Sequence, residues 1–342
     1  MLSLLPAGRP ALAAVLLTTL VATGCGAVGQ GDDVASQFER ELEAMEGVAD
    51  ARVEREAFDT EYFGEEIVVD MDGDATAEEV TAVLDAFLER RRETDGDPQD
   101  ARLTIGAGTT DTVGDDFVPE APPQVVPADR PAGNARVARL LVSAVAAFPG
   151  DFVSVTSTDW SVIASAEGTD PRPEVDRMID VVRADDFLAA SKGLDLTVFA
   201  GPHHDRRIAL IGAAGLTPEL VASYQDLARR LDPSVLRTLW FGRTLFHLDV
   251  RAGDDVKPRQ LTTEAYGDVL WPTLHAALDT LAAMPPAATL TVVNRYAVNE
   301  ADGGYREDRF LATKPKLRTG KDRLGRTWNA EAAAYLDQVS AR

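Results

Sequence analysis

The hydrophobic period of this chain switches between helical and extended spacing in the same order three times, and that succession limits the folds open to it more than any other feature. In the first pass Val34, Phe38, Leu42 and Met45 recur at helical spacing, and Gly47 ends the segment. Extended stretches follow at 51–58 and 65–71. Thr76 and Glu79 have the spacing of a capping box, in which each side chain satisfies the other's backbone N–H at a helix start. The helix they open carries Val80, Val83, Leu84, Phe87 and Leu88 on one face, and a strand is expected at 102–106.

The order then recurs. Asn134 is expected to precede a helix carrying Val137, Leu140, Leu141 and Ala144, stopped by Pro149-Gly150. Strands follow at 152–157 and 160–165, then a helix opened by Pro173, then a strand at 194–200. The third pass runs from a strand at 207–212 to a helix capped by Thr217 with Pro218 in its first turn. A hairpin of 235–241 and 244–250 turns across Gly242-Arg243, and a long helix at 263–284 leads to a strand at 289–298. Hairpins between helices point to the α+β class. The expected architecture is tandem helix–strand–strand–helix–strand units, with ferredoxin-like antiparallel sheets packed against helices.

These elements divide into an acidic α+β domain at 33–110, a Pro-rich linker at 111–133 and a second α+β domain at 134–300 made of two pseudo-repeats. Residues 301–342 form a basic C-terminal tail, in which Trp328, Ala332, Tyr335, Leu336 and Val339 suggest a last short helix.

The first 24 residues are of another kind. Arg9 is the one charge before an apolar run from Ala11 to Ala22, broken only by Thr18 and Thr19. Such a run spans roughly 18 Å as a helix, against roughly 30 Å of bilayer hydrocarbon, which is the length of a cleaved signal segment and too short for an anchor. Ala22, Thr23 and Gly24 then lead into Cys25, the only cysteine of the chain. This block resembles the lipobox of bacterial lipoproteins, with Ala22 standing where the family usually has Leu. The resemblance implies a signal peptide at 1–24, cleavage after Gly24, lipidation of the Cys25 thiol, and a tether at 25–32. It places the protein on the extracytoplasmic face of the cell membrane, held by its acyl chains. Each buried methylene contributes about 0.8 kcal/mol, so two or three chains hold where one would not.

With one cysteine no disulfide can form within the chain. The net charge of −22 is concentrated between Gly26 and Glu120, where 28 acidic residues face 7 basic ones. Nucleic acid is a disfavoured partner for such a body, because phosphate contacts need clustered Lys and Arg. Opposite in sign, residues 313–327 carry Lys314, Lys316, Arg318, Lys321, Arg323 and Arg326 against Asp322 alone.

Two clusters have metal-ligand chemistry. Asp70, Asp72 and Asp74 alternate like the first ligands of a calcium loop, but that loop needs Gly sixth and a carboxylate twelfth, where Ala75 and Thr81 stand. Acidic residues before a helix start are otherwise favoured by its dipole. His203 and His204, with Asp205, fall in the turn before the strand at 207–212; adjacent side chains on extended backbone diverge, so a shared metal needs ligands from elsewhere. Neither cluster is assigned as a site, and no cofactor is expected. No nucleophile elbow, phosphate loop or dinucleotide fingerprint occurs in the sequence. The expectation is a non-catalytic binding or scaffolding lipoprotein whose partner is a protein or an envelope polymer. A solute-binding lipoprotein of a transporter and a cell-envelope enzyme stand as the alternatives.

Overall fold

The computed structural model describes residues 30–58, 62–93, 101–105, 124–125, 128, 131–201, 204–251, 270–299, 304–313 and 334–339. Cys25 and His203 lie outside them. The protein belongs to the α+β class. Helix α1 (Gln30–Glu43) precedes the strands β1 (Val48–Phe58) and β2 (Tyr62–Met71), which pair antiparallel with Val53 opposite Ile67. Helix α2 (Ala77–Glu93) crosses to β3 (Ala101–Ile105), parallel to β2, and closes a three-stranded sheet in the order β1-β2-β3. The capping box is formed: Thr76 N donates to Glu79 Oε2 at 2.6 Å, and Glu79 N donates to Thr76 Oγ1 at 3.3 Å.

The second sheet has nine strands. They are β4 (Gln124–Val125), β5 (Phe152–Val155), β6 (Trp160–Ser165), β7 (Leu194–Ala200), β8 (Arg206–Gly212), β9 (Leu236–Gly242), β10 (Leu245–Val250), β11 (Thr289–Asn299) and β12 (Gly304–Thr313). Helices α3 (Pro131–Ala147), α4 (Arg172–Ala184) with the short α5 (Asp186–Ala190), α6 (Pro218–Arg230) and α7 (Leu270–Ala283) fill the connections between parallel neighbours. The other neighbours are antiparallel, joined by short loops.

Strand order follows chain order across the whole sheet, from β4 at one edge to β12 at the other. This departs from the ferredoxin-like arrangement expected, in which a returning strand inserts between earlier ones. Here every crossover lands on the next free edge. Crossovers of the common right-handed kind, all stepping in one direction, place every helix on the same face. Burial agrees with that placement. Val162, Leu196, Val198, Ile208, Leu210, Leu239, Phe241, Phe246 and Leu248 share one core with Leu141, Met178, Ile179, Tyr224, Leu227, Leu278 and Leu281 of the helices.

The same core continues into the small sheet through Leu42, Val69, Val83 and Leu84. Asn134 holds that junction. The sequence suggested it as a residue preceding α3, yet α3 begins at Pro131 and Asn134 sits fully buried in its first turn. Its Oδ1 accepts from Ala128 N at 2.7 Å, and its Nδ2 donates to Asp85 Oδ1 on α2 at 2.8 Å. Pro at the first turn of α3 lacks only an N–H that would have no helical partner there.

Between α4 and α6 the contact is part polar. Arg172 is bidentate to Asp170 and donates from Nη1 to the carbonyls of Ala228 and Leu231, at 2.9 and 3.1 Å. These carbonyls end α6 and have no intrahelical partner to accept from. Beside them Tyr224 is fully buried with its hydroxyl unpartnered, and burial pushes the phenol pKa far up. Removing a buried donor that makes no bond removes a desolvation penalty. Tyr224→Phe is therefore expected to raise the unfolding free energy by about 1 kcal/mol, measured by urea denaturation.

A helix at residues 334–339 packs against α7. Leu336 is buried, and Tyr335 stacks on His275 with ring centroids 4.1 Å apart, beside Trp271 at 4.4 Å from the imidazole. Tyr335 OH donates to Asp279 Oδ1 at 2.7 Å, and Arg230 of α6 pairs with the same carboxylate. Burial lowers the His275 pKa, with Asp279 opposing. Burial also raises that of Asp279, but the bonds from Arg230 and Tyr335 outweigh it and leave the carboxyl below its ordinary value. Both groups thus bind protons less readily in the folded than in the unfolded state, so stability is lost as pH falls. The imidazole contribution goes below about pH 6.5 and the carboxylate contribution below about pH 4. Hydrogen exchange of 334–339 should accelerate, relative to the sheet core, between pH 7 and pH 5; an unchanged ratio would refute this.

Candidate functional site

Alternation along each strand sends every second side chain away from the helices. Because the described crossovers all use one face, these side chains line a face that carries no helix among the described residues. The register aligns them in rows. Ser154, Ser161, Asp195 and Ile211 form one row across β5 to β8. Ile163, Thr197, Ala209, Trp240 and His247 form the next across β6 to β10. Phe199, Arg207, Thr238 and Asp249 form a third across β7 to β10.

The three large apolar side chains exposed among the described residues all stand here: Ile211 at 37%, Trp240 at 43% and Leu245 at 54% of their surface. They come from adjacent strands β8, β9 and β10. A monomer seldom leaves such a group together without a use for it.

Polar groups converge on the same area. The Arg207 guanidinium carbon lies 5.2 Å from the Phe199 ring centroid and 5.3 Å from that of Trp240, so the cation is held against both rings. Its Nε is buried with no hydrogen-bond partner, and no described carboxylate forms an ion pair with it. His247 Nε2 and Asp249 Oδ1 are 2.9 Å apart, and the imidazole lies 5.9 Å from the Trp240 ring. Thr197 Oγ1 donates to Asp195 Oδ1 at 3.0 Å. Burial raises the Asp195 pKa, while that hydrogen bond and the charge of Arg207 lower it by less. Next to Asp195 a shallow open depression of about 290 Å³ lies at the sheet end, lined by Ser154, Thr156, Asp159, Ser161 and Ile211 among others.

The acidic residues singled out in the sequence lie elsewhere, and His204 borders the third row through Phe199. Asp70 sits on β2 and pairs with Arg52 at 2.6 Å, while Asp72 and Asp74 are exposed in the turn before α2. His204, at φ +51°, occupies the β7–β8 turn with its ring edge-on to Phe199 at 5.9 Å. Asp205 pairs with Arg237 at 2.8 Å. No group of three His, Cys, Asp or Glu side chains among the described residues could hold a metal ion. No helix among the described residues is long and apolar enough to cross a membrane.

Strand alternation sets His247 opposite the buried Phe246 and Leu248. Sequence reasoning passed over Asp195, Phe199, Arg207, Trp240 and Asp249. Their signal was present in the alternation, since Arg206 and Arg207 must face opposite ways. Arg206 donates to the Pro233 carbonyl and Arg207 lies against the two rings. What was missing was knowledge that the described helices all take the other face. Comparison of the chain with protein-family models, curated proteins and solved structures found no match.

Proposed function

We propose that this protein is a lipid-anchored extracytoplasmic lipoprotein that binds an envelope saccharide on the sheet face opposite its described helices without transforming it. The observation that carries the binding reading is the grouping of Trp240, Ile211 and Leu245 beside Arg207, His247 and two carboxylates. A pyranose ring has an apolar C–H surface and a rim of hydroxyls. An exposed indole suits the first, and Asp, His, Arg and Thr groups suit the second. An overall charge of −22 argues against nucleic acid as the ligand of that aromatic face. The anchor rests on the lipobox-like segment ending at Cys25. The tandem units fit the same reading, since each added hairpin extends the same sheet face.

Two measurements test this proposal. Labelling with a fatty-acid analogue in growing cells should mark the wild-type protein and leave Cys25→Ala unmarked; equal labelling refutes the anchor. Sedimentation with isolated envelope polysaccharide should retain the wild type and lose Trp240→Ala by about tenfold or more; equal retention refutes the face. Hot-spot aromatics at a binding surface commonly carry effects of that size.

A further inference from the structure

Resting on the saccharide reading, we infer that Arg207 recognises a carboxylate on the sugar, so that the ligand presents a uronic acid unit to this face. Arginine in a folded protein ordinarily spends its donors on carboxylates or carbonyls, as Arg172 and Arg177 do here. Arg207 is different. Its stem rises from the middle of the sheet, its guanidinium is held against Phe199 and Trp240, and it makes no hydrogen bond to any described residue.

Contact with ring faces favours the cation but satisfies none of its in-plane N–H groups. A guanidinium held in this way is pre-ordered for a planar, bidentate acceptor, so little side-chain freedom remains to be lost on binding. A carboxylate on a pyranose meets the requirement, because the ring then falls on or beside Trp240 while the acid group reaches the fork.

Charge selects the type of anion. Asp195 stands close enough for its pKa to respond to Arg207, and Asp249 lies in the same row of the sheet. A single negative charge is accommodated beside them at lower cost than the double charge of a phosphate monoester. The acidic body of the protein acts in the same direction. His247, paired with Asp249, is placed to meet the ring hydroxyls.

The test is calorimetric titration of the full-length protein in detergent with oligogalacturonate, its methyl ester and inorganic phosphate. The acid is expected to bind at least tenfold more tightly than the ester, and the difference should shrink with added salt. Arg207→Gln should bind acid and ester alike, and Arg207→Lys should recover part of the preference, since an ammonium supplies charge without the fork. Thermal melts of both variants verify that the sheet is intact. Equal binding of acid and ester by the wild type overturns the inference while leaving the face as a saccharide surface. Binding of phosphate more tightly than the acid overturns the choice of anion. No saturable binding of the acid overturns the inference outright, and the saccharide reading is then judged by the sedimentation experiment alone.

Discussion

Phe241→Ala is expected to cost about 3–5 kcal/mol of unfolding free energy, the range for emptying a buried aromatic site. Phe241 is fully buried near the middle of the large sheet, on β9. It faces Phe246 on β10 at 5.7 Å between ring centroids and Tyr224 on α6 at 6.1 Å. Loss of the ring removes contacts from both layers, and neither strand backbone can close the gap without leaving its ladder. The adjacent residue supplies the contrast. Trp240 is larger, but it points to the face opposite the described helices and is 43% exposed, so Trp240→Ala should cost about 1 kcal/mol or less. Urea denaturation of both variants decides the matter. If the Trp240 variant lost as much stability as the Phe241 variant, the assignment of faces would be wrong.

Gly193→Ala is expected to destabilise by about 2–5 kcal/mol. Gly193 has φ +73°, where an L side chain costs about 1–2 kcal/mol. A Cβ there would also lie 2.3 Å from the Thr158 carbonyl oxygen and 2.6 Å from Asp159 Oδ1, and forced contacts of that sort add about 1–3 kcal/mol. The backbone has no slack to yield. Trp160 N donates to the Gly193 carbonyl at 2.8 Å, and Gly193 N donates to the Ala213 carbonyl at 3.2 Å, so this residue links the ends of three strands. Gly150, at φ +86° with nothing within 4 Å of its would-be Cβ, isolates the backbone component. Gly150→Ala should cost about 1–2 kcal/mol. Equal losses at the two positions would show that crowding at Gly193 carries no weight.

Much of the local structure was legible in the residues. Thr217 was identified as the cap of α6 and accepts from Leu220 N; Thr76 and Glu79 form their reciprocal pair. Each such feature depends on contacts within a few residues, which spacing encodes directly. Errors arose where a distant partner decides. Asn134 resembles a cap by type, yet its bonds go to Ala128 and to Asp85 of α2. A hairpin across Gly242-Arg243 was expected, but Gly242 continues β9 and Arg243-Thr244 makes the turn. Strand pairing with β10 sets that register, beginning at Phe241 opposite Phe246.

The candidate site was legible only as fragments. Alternation turns His247 away from Phe246 and Leu248, and nothing in its spacing joins it to Arg207, Trp240 or Phe199. Those four side chains come from two hairpins, β7–β8 and β9–β10, separated by α6 and brought together because that crossover lands on the next edge. Strand order is a property of pairing between segments far apart in the chain, and the period of any one segment is the same whichever neighbour it takes.

The sequence by itself determined most of the helices and strands and the caps at Thr76 and Thr217, because these follow from contacts a few residues long. Tertiary structure alone decided that helices cover one side of the nine strands. By leaving the other side without a helix among the described residues, it turned residues scattered from Asp195 to Asp249 into a single surface.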